Sequence, residues 1–173
     1  QLTRMNQIVS YQLQRAVQTN NRSALARQVQ VKPVAEKVLD ALAKVYADKS
    51  VSSVKLLDED AVFYGDERDL LEVLGNVLDN AFKYGRGEVS IRASVESHDS
   101  SGLQIVIEDN GPGISVEKQE YVLQRGARAD TLVQGQGIGL AVVTDIVASY
   151  GGTIEVGFSN LGGAKIIMRF VST

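Results

Sequence analysis

The sequence predicts an α+β fold, a two-layer sandwich in which one mixed sheet packs against a layer of helices. Three observations point there. Segments of strand period and helix period are interleaved along the chain. The last two strand-like runs, 153–158 and 164–171, are separated only by 159–163 and so pair directly as a hairpin. The run 103–108 is apolar on both faces, as a central strand is. A directly paired end argues against a doubly wound parallel sheet.

Composition narrows the classes of function. The 173 residues, 44% of them hydrophobic, suffice for one domain with a real core. A net charge of -3 gives no basic field for nucleic acid, and the absence of cysteine excludes disulfides and thiolate metal sites. No apolar run approaches the roughly 18 residues that span a bilayer. Position 1 is Gln1 and no signal-peptide pattern follows it, so the expectation is a cytoplasmic fragment of a longer protein.

In chain order, residues 1–28 place Leu2, Met5, Val9, Leu13 and Ala16 at spacings of three and four, which predicts an amphipathic helix. It is either a surface helix of this domain or the end of an upstream bundle; the uncapped start favours the second. Residues 29–31 suit a short strand. Pro33 suits the first turn of a helix to Asp48 through Val34, Val38, Leu42 and Val45. Short strands are expected at 54–57 and 61–64. Asp66 can cap a helix over 67–84 that Gly85 closes. Residues 88–96 alternate Val89, Ile91, Ala93 and Val95, the period of a half-buried strand. After strand 103–108 come a short helix at 116–123 and a polar loop over 125–136. Gly137 then opens a helix to Tyr150, ended by Gly151 and Gly152. Residues 29–173 so read as one domain.

Three features bear on chemistry. On the 67–84 helix, Glu72, Asn76, Asn80 and Lys83 form one polar stripe beside Leu70, Leu74, Val77, Leu78 and Ala81. Asparagine is a mediocre helix former, so two on one face beside a lysine need a reason. Either the face is simply solvated, or its amide oxygens hold Mg²⁺ while Lys83 reaches phosphate oxygens. The second feature is Asp109-Asn110-Gly111-Pro112-Gly113-Ile114, directly after the apolar strand. An ionised Asp there is acceptor-only and suits an exocyclic amino group such as adenine's, with glycines admitting a flat ring. The bland alternative is an ordinary Asp-Asn-Gly turn. The third is Gly135-Gln136-Gly137-Ile138-Gly139-Leu140, leading into a helix whose N-terminus can hold phosphate. Six of the 16 glycines lie from Gly111 to Gly139, where backbone must approach a ligand or move. Neither the Rossmann spacing nor a Walker phosphate loop occurs.

In this order, Asn76 to Tyr84, Asp109 to Gly113 and Gly135 to Leu140 resemble the N, G1 and G2 boxes of the histidine-kinase branch of the family that also holds DNA gyrase, Hsp90 and the MutL ATPases. Gly162-Gly163-Ala164 is similar to the glycine pair near that domain's end. The resemblance implies a left-handed-crossover α/β sandwich that binds ATP with Mg²⁺ between the N-box helix and a lid. Arg125 to Thr131 looks like the lid of PhoQ-type magnesium-responsive sensor kinases, and the first helix is similar to the second helix of their dimerisation domain. One departure is Tyr121-Val122-Leu123, where the family's lid carries a phenylalanine.

On this resemblance Asn76, Asn80 and Gln136 are the expected metal ligands, and Lys83 and Arg128 the γ-phosphate contacts. Asp109, Gly111, Gly113, Ile114, Arg125, Gly135, Gly137, Ile138, Gly139 and Leu140 complete the nucleotide site. Tyr84 lies against adenine or ribose, or is a core tyrosine. In the hydrolysing branch a glutamate stands four residues before the metal asparagine; here Asn76 stands there, and an amide is no general base. Transfer to a protein nucleophile is therefore expected over hydrolysis. His98, in the polar turn 97–102, lacks the context of a phosphoacceptor. The implied acceptor is a histidine on the chain's own upstream dimerisation domain in a homodimer, with a response regulator next, no nucleic acid, and an inner membrane reached only through upstream segments. The competing expectations are an anti-sigma-factor-type serine kinase and a non-catalytic nucleotide-binding module.

Overall fold

The computed structural model describes residues 27–96, 102–123 and 136–171. Strand β1 (Arg27–Gln30) leads into helix α1 (Val31–Val45). Then come β2 (Ser52–Leu57), β3 (Val62–Gly65), α2 (Glu67–Tyr84), β4 (Glu88–Glu96) and β5 (Gly102–Asp109). The chain continues through α3 (Val116–Val122), α4 (Gln136–Ser149), β6 (Thr153–Phe158) and β7 (Ala164–Phe170). The main sheet is five-stranded, in the order β2-β4-β5-β7-β6, with β5 in the middle. Only the β2–β4 pair is parallel; the β6–β7 hairpin closes as Phe158 faces Ala164. Strands β1 and β3 form a separate antiparallel pair. This is the α+β sandwich expected.

Alternation builds the core. Val89, Ile91 and Ala93 of β4, Leu103, Ile105 and Ile107 of β5, and Ile166, Met168 and Phe170 of β7 point to one face and are buried there. The opposite face carries charge, with Arg169 between Glu96 at 2.9 Å and Glu155 at 3.0 Å. On the buried side, α2 contributes Leu70, Leu74, Val77, Leu78 and Ala81, the apolar stripe read from its sequence. Helix α4 is buried through Leu140, Ala141, Val142, Val143, Ile146 and Val147, more than one stripe, because it packs on both α2 and the sheet.

Several boundaries move. Arg27 and Gln28 are strand, not the end of a first helix, and Val31 already belongs to α1. Pro33 sits in the first turn, where its missing N–H costs nothing. Helix α1 ends at Val45, before Asp48, and Val45 is 62% exposed although it continues the apolar period. Strand β2 starts at Ser52, and β3 covers Val62–Gly65 in place of 61–64. Helix α4 starts at Gln136 and stops at Ser149, one residue earlier at each end than expected. The expected first helix over residues 1–26, the turn with His98 and the loop 124–135 lie outside the described residues, as does the side chain of Tyr121.

Candidate functional site

Helix α2 forms as its sequence directs. The Asp66 carboxylate accepts the Arg68 N–H at 2.8 Å as the N-cap. Its polar residues Glu72, Asn76, Asn80 and Lys83 are all half-buried, so they are not a freely solvated face. Asn76 Nδ2 donates to the Glu72 carbonyl at 2.7 Å and to Glu72 Oε1 at 3.1 Å. With its nitrogen so engaged, the amide oxygen of Asn76 is what remains for a ligand.

Beside this helix opens a cleft between α2, the ends of β5 and β7, and α4. Its walls are Val77, Asn80, Ala81 and Tyr84 of α2, Ile107 and Asp109 of β5, Gly113 and Ile114 beyond it, Leu140 of α4, and Ala164 and Ile166 of β7. Most of that lining is apolar, with Asn80 and Asp109 the groups that give it polarity, the pattern of a small-molecule site. Tyr84 is in the wall, and the Lys83 ammonium lies 5.3 Å from its ring centroid. Tyr84 is therefore not a core residue.

Asp109 is 7% exposed. Its Oδ1 accepts the N–H of Gly111 at 2.9 Å and of Ala164 at 3.2 Å, which leaves Oδ2 to accept from whatever enters the cleft. Burial pushes its carboxyl above the ordinary 3.8, while the two backbone N–H groups pull it part of the way back. Three glycines make room for it. A Cβ on Gly163 would overlap Asp109 Oδ1, and one on Gly111 would overlap the Tyr84 carbonyl. One on Gly85 would strike the Ala81 carbonyl and lie 3.3 Å from Asp109 Cβ. The Gly163 N–H also donates to the Asp109 carbonyl at 3.0 Å. Gly113, at φ 75°, turns in a conformation that side chains resist. Asn110 faces the other way: its Oδ1 accepts from the Arg86 N–H at 2.7 Å and the Glu88 N–H at 3.0 Å, tying the turn after α2 to the end of β5. The motif is thus no ordinary turn.

The structure brings Asn76, Asn80, Lys83, Tyr84, Asp109, Gly111, Gly113, Ile114 and Leu140 to this one region. Gln136, Gly137, Ile138 and Gly139 form the first turn of α4. Arg125, Arg128 and Gly135 lie outside the described residues. Sequence reasoning missed Glu72 as the partner of Asn76, and Gly85 as packing against Asp109. Gly85 closes α2 as expected, though in extended rather than left-handed conformation.

Comparison with known proteins agrees with this geometry. The profile of the histidine kinase-, DNA gyrase B- and HSP90-like ATPases matches residues 65–172. The chain is 41% identical to the sensor protein PhoQ of Escherichia coli K12 over 98% of its own length and 34% of that protein. It is likewise 41% identical to the two-component sensor PhoQ of Pseudomonas aeruginosa PAO1, over 99% of this chain and 38% of the relative. The chain thus spans about a third of the length of the curated relatives it matches. Among solved structures, the mycobacterial sensor histidine kinase MprB superposes with a TM-score of 0.70 at 26% identity, covering 85% of this chain and 97% of that one. The order of the boxes, the cleft they line and these likenesses agree: the chain belongs to the histidine kinase-, DNA gyrase B- and HSP90-like ATPase family.

Proposed function

We propose that this chain is the ATP-binding catalytic domain of a two-component sensor histidine kinase. It hands the γ-phosphoryl group of ATP to a histidine on its own dimerisation domain, from which the group passes to an aspartate of a response regulator. The observation that carries the reading is Asp109, a buried carboxylate whose Oδ1 is taken by backbone N–H groups and whose Oδ2 is left for the exocyclic amine of adenine. Ala81, Ile107, Ile114 and Ile166 offer the ring an apolar slot. From there the triphosphate extends along α2, toward Asn76, Asn80 and Lys83.

The donor set suits Mg²⁺. The stripe offers neutral amide oxygens, and among the described residues no cluster of three or more His, Cys, Asp or Glu forms a cage. Mg²⁺ keeps water and phosphate oxygens as its main ligands and needs few from protein. Asn76, Asn80 and Gln136 would hold it, and when bound it neutralises charge on the triphosphate. Lys83 and Arg128 add positive charge at the γ-phosphate.

Transfer then needs little beyond positioning and charge. The bond from the γ-phosphorus to the ADP oxygen breaks as one to the imidazole nitrogen forms, and the imidazole proton leaves to solvent. Hydrolysis is disfavoured because Asn76 occupies the place of a water-activating base. Among the described residues no helix is long and apolar enough to cross a membrane. The attachment to the inner membrane belongs to upstream segments of the intact protein.

The test is transfer in trans. The chain, Mg²⁺ and ATP labelled at the γ-phosphate, mixed with the protein's separately prepared dimerisation domain, should place base-stable, acid-labile label on a histidine. Binding without label would leave a nucleotide-binding module, and no binding would end the reading.

A further inference from the structure

Lys49 lies outside the cleft, in the turn between α1 and β2, yet its ammonium reaches the end of α2. It donates to the carbonyls of Phe82 and Lys83 at 2.7 Å each and of Gly85 at 3.1 Å. A helix leaves its last carbonyls without N–H partners, and a glycine in left-handed conformation is the usual remedy. Gly85, at φ -66° and ψ 159°, is extended, so this helix ends differently. A cation from an earlier turn binds those carbonyls and opposes the negative end of the helix. The same turn holds α2 at a second level. The Tyr46 hydroxyl donates to Asp79 Oδ1 at 2.7 Å, and its ring lies 6.0 Å from both the Phe82 ring and the Lys49 ammonium.

The span so fixed is the one the nucleotide site depends on. It contains Lys83 and Tyr84; the Tyr84 carbonyl packs on Gly111, and Gly85 packs near Asp109. We infer that Lys49 is a positioning residue for the nucleotide site, its ammonium setting the end of α2 against the Asp109 loop. This rests on the nucleotide reading above. Lys49 reaches α2 through the main-chain carbonyls of Phe82, Lys83 and Gly85, so its effect on nucleotide passes through the helix end.

The experiment is calorimetric titration of the chain with ATP and Mg²⁺, together with the transfer assay, for wild type, Lys49→Met, Lys49→Arg and Lys49→Gln. Thermal melts establish which variants are folded. Lys49→Met should bind about tenfold more weakly, with KM raised about tenfold and kcat changed less than about twofold, because the fixed groups serve ground and transition states alike. Lys49→Arg, which keeps the cation, should recover affinity to within about twofold. A residue of merely structural worth would lower the melting temperature and leave the affinity of the folded protein unchanged. Folded Lys49→Met with wild-type affinity, or Lys49→Arg as weak as Lys49→Met, overturns the inference. If Lys49→Met does not fold, Lys49→Gln decides: about threefold weakening supports the role and wild-type affinity overturns it. A wild-type chain that binds no ATP overturns the nucleotide reading and this inference with it, a result distinct from equal binding by wild type and variant.

Discussion

Asp109 is held by opposing effects. Burial favours its protonated form, two backbone N–H groups favour the ionised one, and burial prevails. Its folded-state pKa is therefore raised, so the folded chain binds that proton more tightly than the unfolded chain does. The stability it contributes is fully present below the ordinary 3.8 and is lost as pH rises through the folded value. At neutral pH the ionised form is therefore less stabilising to the fold than the protonated form would be. Asp109→Asn keeps an oxygen for the Gly111 and Ala164 N–H groups and removes that buried charge. We expect it to melt no lower than wild type at neutral pH while losing ATP affinity by roughly 100-fold, the worth of a charged hydrogen bond. Scanning calorimetry beside an ATP titration checks both halves. A lower melting temperature with unchanged affinity would assign Asp109 to the scaffold alone. In wild type, ATP affinity should weaken as pH falls through the raised pKa, because the protonated carboxyl presents a donor to the amine.

Helix α2 was legible because its signals are local. Asp66, the apolar stripe and Gly85 mark its limits, and each lies within the helix or beside it. What holds the helix in place is not local. Tyr150, at the end of α4, donates its hydroxyl to the buried Asp69 and accepts the Asp66 N–H at 3.2 Å, while its ring packs 4.9 Å from that of Phe63. Asp69 and Tyr150 are 81 positions apart, so no period or cap foretells their meeting. Lys49 escaped for the same reason. Tyr150→Phe keeps the ring and deletes the hydroxyl, and should destabilise the chain by about 1–3 kcal/mol, the range for removing a partner from a buried polar group. Urea denaturation measures it. A variant as stable as wild type would show that this tie between α2 and α4 contributes nothing.

Across the whole molecule, β5 is central as expected, but only its Leu103, Ile105 and Ile107 face is apolar throughout, since Gln104 and Glu108 flank Val106 on the other. Strands β6 and β7 form the hairpin that the short loop between them predicts. The separate β1–β3 pair was not foreseen, because a four-residue strand carries too little alternation to announce its partner. Val45 shows the reverse failure, an apolar residue in period that ends up exposed because α1 stops there. The candidate site was readable as three separated boxes, while the cleft lined by Asn80, Asp109 and Leu140, one from each, exists only once the strand order brings β5 and β7 together beside α2 and α4.

The central claim is that this cleft reads adenine through one carboxylate oxygen, and base discrimination tests it most directly. The measurement is the Mg²⁺-dependent affinity of the chain for ATP and for inosine triphosphate, which differ in carrying an amino group or a carbonyl oxygen at the reading position. ATP should bind roughly 100-fold more tightly, since the carbonyl would face the Asp109 carboxylate with two acceptors and no proton between them. Equal affinity for the two nucleotides would contradict the account.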